Sequence, residues 1–124
     1  MNNRAHKNCL LCEKLGNNNC QSKCVVYKFT CKLCNSIYIG QTARPFYYRY
    51  NEHKYSLNNN NENSALSDHV NTSHINDTHK FRIDDFDIYF LGIYKTPIEC
   101  KIGEAKWIRT IQPSMNRKEE LTYW

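Results

Sequence analysis

The stretch Val25-Val26-Tyr27-Lys28-Phe29-Thr30-Cys31-Lys32-Leu33-Cys34-Asn35-Ser36-Ile37-Tyr38-Ile39-Gly40 decides how this chain folds. Val25, Tyr27 and Phe29 alternate with Val26, Lys28 and Thr30, the period-two pattern of a strand built from residues that suit a pleated surface. A second β-prone run resumes at Ile37, Tyr38 and Ile39 after a polar break. Together they read as an antiparallel hairpin whose turn carries Cys31 and Cys34.

Downstream of Gly40, Pro45 suits the first turn of a helix running to about Leu57. Phe46, Tyr50 and Leu57 fall on one face of it, and Arg49 and His53, four apart, share a neighbouring face. The tract Asn58-Asn59-Asn60-Asn61-Glu62-Asn63 cannot bury apolar surface and is expected to be a flexible loop before a short helix from Ser64. Phe86 to Tyr94 is the third strand candidate. Thr96-Pro97-Ile98-Glu99 then opens a helix, with threonine as N-cap, proline at the first position and glutamate completing a capping box. On that helix Ile98, Ile102, Ala105 and Ile108 are expected to form one apolar arc with Glu104 at its edge. Met1 to Lys23 shows no apolar period and reads as an appended arm or metal knuckle. The expected class is α+β: a small antiparallel sheet of three strands flanked by helices.

At 124 residues the chain suits a single domain. Seventeen Lys and Arg against twelve Asp and Glu give a net charge of +5. That favours a polyanionic partner without separating nucleic acid from ordinary basic solubility. Met1 to Gly16 carries no apolar run of the secretory kind, and no stretch approaches the roughly 20 apolar residues of a membrane span, so an intracellular, membrane-free protein is expected. The sequons at Asn71 and Asn76 then read as chance matches. Seven cysteines, mostly in close pairs and without an export signal, favour metal ligation over a disulfide framework. Cys100, alone on its helix, reads as packing.

The order Tyr27, then Tyr38-Ile39-Gly40-Gln41-Thr42, then Arg49-x-x-x-His53, then Glu104, then Asn116 resembles the GIY-YIG nuclease family over Val25 to Asn116. Cys31-x-x-Cys34, Ser64-Ala65-Leu66-Ser67-Asp68-His69 and His74 make it look more particularly like the endonuclease domain of Penelope-like retroelements. The first motif departs from the family name, since Val25-Val26-Tyr27 retains only the tyrosine of the Gly-Ile-Tyr triplet. The resemblance implies the GIY-YIG fold over residues 25–117, after an arm at 1–24 and before a tail at 118–124. It implies a metal-dependent DNA endonuclease that nicks DNA for retroelement insertion, or a remnant of one, with a reverse transcriptase of the same element as partner and the nucleus as location. Tyr27, aided by Tyr38, would orient or deprotonate the attacking water, Arg49 would clamp the scissile phosphate, and Glu104 would hold Mg²⁺. His53 would contact phosphate or assist proton transfer, and Asn116 would fix the site by hydrogen bonding.

Cys31, Cys34, His69 and His74 supply two thiolates and two imidazoles in short-range pairs, the ligand set of a tetrahedral structural Zn²⁺, with His79 as an alternative to His74. Cys9, Cys12, Cys20 and Cys24 can be drawn as a second, all-cysteine zinc site, although the loop between the pairs is short; one or two zinc ions are left open. Taken singly, these residues are ordinary. Strand tyrosines are usually half-buried, Arg49 and His53 could form a solvated helix face, and Glu104 could face water or a lysine. Only their ordered set points to catalysis. Two other functions fit the sequence: a zinc-stapled nucleic-acid-binding module with a decayed active site, and a structure-selective repair nuclease.

Overall fold

The two β-prone runs form strands β1 (Val25–Cys31) and β2 (Ile37–Thr42), paired antiparallel with Tyr27 opposite Gly40 and Phe29 opposite Tyr38. Their geometry comes from a computed structural model that describes residues 9–15, 19–59 and 64–116. Strand β3 (Phe86–Ile93) pairs antiparallel with the other side of β1, giving the order β2-β1-β3. The expected three-stranded antiparallel sheet is therefore present, with β1 at its centre. The register with β3 slips between Val26, opposite Gly92, and Tyr27, opposite Phe90, so Leu91 is the extra residue of a bulge beside Tyr27. Such bulges re-aim side chains where a strand needs to bend.

Helices cover both faces of the sheet. Tyr27, Phe29, Tyr38, Phe46, Tyr50 and Leu66 belong to one core, while Val26, Ile39, Cys100 and Ile108 belong to the other. The first core joins the sheet to helices α2 (Phe46–Asn58) and α3 (Ala65–Ser73), and the second joins it to α4 (Pro97–Ile111). In α2 the buried residues are Phe46, Tyr50 and His53. The histidine thus enters the core instead of lying on a neighbouring face with Arg49.

Helix α4 begins with the threonine cap and the proline that its sequence implies. Thr96 is the N-cap, its hydroxyl accepts the Glu99 backbone N–H at 3.2 Å, and Pro97 is the first residue. The buried arc differs from the one expected. Cys100, Gly103, Ala105 and Ile108 face inward, whereas Ile98 and Ile102 are 71% and 41% exposed. The Tyr94 ring packs so closely on Gly103 that a Cβ there would collide with it. Small residues bring this face down on the sheet and turn the two isoleucines outward. At about 100° per residue, Glu104 then falls in the middle of the inward arc, one turn from both Cys100 and Ile108, not at its edge.

The chain leaves α4 through Gln112 in the left-handed region (φ 53°), and the following residues return to the open side of β2. The Met115 N–H donates to the Ile37 carbonyl at 2.9 Å. Asn116 takes both backbone groups of Ile39, its Oδ1 accepting the N–H and its Nδ2 donating to the carbonyl, each at 2.9 Å. This side chain acts as one rung of a further strand and closes the β2 edge.

Near the N-terminus, where the sequence shows no apolar period, lie a six-residue helix α1 (Leu10–Leu15) and a 3₁₀ turn (Asn19–Gln21). Leu11, Cys12 and Cys20 reach the first core. Residues 1–8, the tail at 118–124, and residues 60–63 of the expected flexible loop lie outside the described residues. No described helix is long and apolar enough to cross a membrane.

Gly40 explains why the hairpin tolerates no side chain opposite Tyr27: a Cβ there would lie 2.5 Å from the Tyr27 hydroxyl oxygen. Gly40→Ala is expected to displace the Tyr27 ring and lower the stability by about 1–3 kcal/mol, the usual cost of overpacking. Urea unfolding of the two proteins checks this; an unchanged midpoint would contradict the close approach.

Candidate active site and metal centre

The β1–β2 pairing places Tyr27 and Tyr38 on the same face, with ring centroids 6.4 Å apart. Tyr27 is fully buried and Tyr38 is 6% exposed. One turn apart on α2, Arg49 and His53 bracket the Tyr27 hydroxyl. Arg49 Nε donates to it at 3.2 Å, and His53 Nε2 lies 3.0 Å away. The phenol oxygen accepts from arginine and can donate its own proton to His53 Nε2 when that ring carries its hydrogen on Nδ1. Arg49, Tyr27 and His53 thus form one hydrogen-bonded chain.

Protonation follows from burial. Desolvation, reinforced by Tyr38, pushes the Tyr27 hydroxyl well above the ordinary phenol range, and the opposing pull of Arg49 does not cancel it. Desolvation, reinforced by the Arg49 charge, pushes His53 down to about 3. Both groups rest in their neutral forms at pH 7. Burial also works against the charge on Arg49, but Tyr27 and Glu52 outweigh it and hold the guanidinium protonated. Glu52, three residues on, bonds to Arg49 Nη1 at 2.9 Å and to Arg44 Nη2 at 2.7 Å. These bonds hold its carboxyl below the usual range despite partial burial. The Arg49 fork is thus fixed by two bonds, and Nη2 is the nitrogen that neither of them uses.

Glu104 lies on α4, partly buried, and its charge reaches both Tyr27 and Cys100. A carboxylate whose charge reaches the Tyr27 hydroxyl offers the hard oxygen donor that Mg²⁺ takes, and such an ion asks the protein for only one or two carboxylates. The donor chemistry fits. Asn116 acts at one remove: it is 6% exposed and fixes the backbone of Ile39, between Tyr38 and Gly40.

A second constellation ties the hairpin turn to α3. Cys31 ends β1, Cys34 sits in the turn, His69 lies on α3 and His74 caps it, and their donor atoms lie within 4.8 Å of one another. Cys34 Sγ is 3.3 Å from His69 Nε2, and Cys31 Sγ is 3.7 Å from His74 Nε2. A tetrahedral zinc with ordinary Zn–S and Zn–N bonds separates sulfur from nitrogen by about 3.6 Å. The four donors are therefore spaced as a zinc ion requires. His74 turns its other nitrogen, Nδ1, to Asp77 Oδ2 at 2.7 Å, the outer carboxylate that orients metal-binding histidines. Burial works against the Cys34 thiolate, but Ser36, His74 and Cys31 outweigh it and bring the thiol down to about 7. His79 is not in this group; it pairs with Asp85 at 2.9 Å.

Of the four upstream cysteines, the structure brings together Cys9, Cys12 and Cys20. Cys24 lies apart in the second core with Val26 and Cys100, and its backbone is in the left-handed region (φ 55°). It packs towards α4, while the other three pack on the opposite side of the sheet. Glu52, Asp77 and Ser36 were not selected from the sequence. The positions of Glu52 and Asp77, three residues after Arg49 and His74, were the available signal.

The family model of the GIY-YIG catalytic domain matches residues 23–119. The chain therefore belongs to the GIY-YIG family, whose domain is a metal-dependent nuclease of the endonuclease kind with DNA as its implied substrate. No curated protein and no solved structure matches the chain.

The depressed His53 has a consequence for stability. Because its folded pKa of about 3 lies below the unfolded value of 6.5, its contribution is full above pH 6.5 and declines as pH falls towards 3. Between those values the slope is about 1.4 kcal/mol per pH unit. His53→Gln, which keeps an acceptor but cannot titrate, should show an acid dependence shallower by that amount between about pH 6 and pH 5. Urea unfolding across that range measures it, and parallel curves would disprove a buried neutral histidine.

Proposed function

We propose that this chain is a catalytically competent, Mg²⁺-dependent DNA endonuclease that nicks duplex DNA. The carrying observation is the hydrogen-bonded chain Arg49–Tyr27–His53, with the Glu104 carboxylate on the facing helix. A decayed binding module would have no need to keep a buried tyrosine hydroxyl between a cation and a neutral base.

Cleavage of a phosphodiester needs an oriented water, charge stabilisation at the phosphoryl oxygens and a stabilised leaving oxygen. The Tyr27 oxygen accepts a hydrogen bond from the attacking water and so sets its line of approach. As the water loses its proton to that oxygen, the Tyr27 proton passes to His53 Nε2, and the Nε–H of Arg49 offsets charge growing on the phenol oxygen. Its protonated resting state suits Tyr27 to this relay better than to a standing phenolate. Arg49 Nη2 binds the scissile phosphate, and Tyr38 packs beside Tyr27 to exclude bulk water. Glu104 holds Mg²⁺, which when bound supplies charge to the phosphoryl and leaving oxygens. Asn116 keeps the backbone between Tyr38 and Gly40 in place. Cys31, Cys34, His69 and His74 hold a structural Zn²⁺ that fixes the hairpin turn to α3.

That Cys-Cys-His-His set supports a finer assignment, an endonuclease of the Penelope-like retroelement kind or a remnant of one. It would act in the nucleus beside a reverse transcriptase of the same element. A structure-selective repair role is the alternative that a panel of branched DNAs would reveal.

The direct test is conversion of supercoiled plasmid to nicked circles with Mg²⁺. Glu104→Gln and Arg49→Lys should each slow cutting by about 10²–10³-fold while the proteins stay folded and bind DNA. Binding without cutting by the unaltered protein would overturn the proposal in favour of the decayed module. Asp77→Asn should weaken zinc retention about 10- to 100-fold in a competition with chelator. Equal retention would mean that Asp77 does not support a metal-bound His74.

A further inference from the structure

The three sulfurs at the N-terminal end form a cluster that the catalytic reading does not use. Cys9 precedes α1, Cys12 lies in its first turn, and Cys20 returns on the 3₁₀ turn, so two turns of chain deliver three thiols to one point. All three donor atoms lie within 4.8 Å of one another, and those of Cys12 and Cys20 are 3.2 Å apart. Cys12 and Cys20 are 2% and 1% exposed, and Cys9 is partly exposed. Sulfurs on a tetrahedral zinc stand about 3.8 Å apart, so accommodating the ion requires sulfur shifts well within side-chain freedom.

Packing alone gives little reason for this convergence. A six-residue helix is far too short to persist by itself. The Lys14–Asp84 ion pair that helps dock it is exposed, and such pairs contribute about 0–1 kcal/mol. Among the described side chains of α1, Leu11 is the buried apolar residue that joins the core besides the cysteine. The cluster adjoins the catalytic helix: the Phe46 N–H donates to the Ser22 carbonyl at 2.9 Å, and Tyr47 of α2 lies close enough to Cys20 to feel its charge.

We propose that Cys9, Cys12 and Cys20 bind a second zinc ion, distinct from the one assigned to Cys31, Cys34, His69 and His74, that latches the N-terminal segment onto the start of α2. This differs from the four-cysteine site drawn from sequence, because Cys24 faces the other core. The described residues supply three thiolates to this ion.

The test counts metal and does not depend on nuclease activity. The full chain, purified with zinc and without oxidation, should carry two zinc ions by native mass spectrometry. Cys12→Ser/Cys20→Ser and Cys31→Ser/Cys34→Ser should each lose one ion, and Cys24→Ser should keep both. Two ions in the unaltered protein with none lost from Cys12→Ser/Cys20→Ser, or only one ion at the outset, would overturn the proposal. Should the variants fail to fold, cobalt loading of the unaltered chain decides. Thiolate-to-cobalt absorption matching five cysteine ligands supports the second site, and absorption matching two refutes it.

Discussion

The Tyr27 hydroxyl is the atom on which the rest of this structure depends. It belongs to a fully buried side chain, packed edge-on against Phe46 and His53. Left unpartnered there, a hydroxyl would cost about 1–3 kcal/mol. Arg49 and His53 satisfy it, and they come from successive turns of α2, so the demand of one strand atom fixes the rotation and height of a whole helix. Gly40 is the complementary requirement, because the ring crosses the hairpin through the space that a side chain at that position would occupy. The residues assigned to catalysis are therefore also those that dock the helix on the sheet.

The two free sides of this arrangement are held by different means. At the outer edge of β2, Met115 and Asn116 complete the backbone pairing and stop Tyr38 and Gly40 from shifting relative to Tyr27. At the hairpin turn, Cys31 and Cys34 face His69 and His74 across the gap to α3. That helix has nine residues, short enough that local hydrogen bonding alone leaves it marginal. Leu66 anchors it to the first core, and the cysteine/histidine group anchors its far end. Asp77 then fixes which nitrogen His74 presents.

Features carried by local pattern were readable from the sequence. The hairpin follows from the alternation of Val25, Tyr27 and Phe29, and the start of α4 from Thr96, Pro97 and Glu99, whose cap is present as a hydrogen bond. Features that depend on what lies opposite were not. The isoleucines of α4 satisfy a helical period, yet Cys100, Gly103, Ala105 and Ile108 face the sheet because small residues permit closer approach. Reading the row Cys100, Glu104, Ile108 at intervals of four would have placed the glutamate on the inward face. The burial of His53 depends on a tyrosine 26 positions away, which no helical period reveals. The placing of Cys24 in the other core goes with a left-handed backbone that no local pattern announces.

Burial shifts Tyr27 and His53 in opposite senses and leaves the shared proton on the tyrosine in the resting protein. A site that must draw a proton from water then needs some way of easing that hold at the moment of reaction. Glu104 is placed to do so. Its negative charge is one of the influences that keep Tyr27 protonated, and on the reading proposed above, that carboxylate is neutralised when it binds a divalent cation. The same event would bring positive charge towards the phenol oxygen, which Arg49 already favours as an anion. Assembly of the metal site and acidification of Tyr27 are then linked through a single side chain, and the protein without its cation keeps the relay closed.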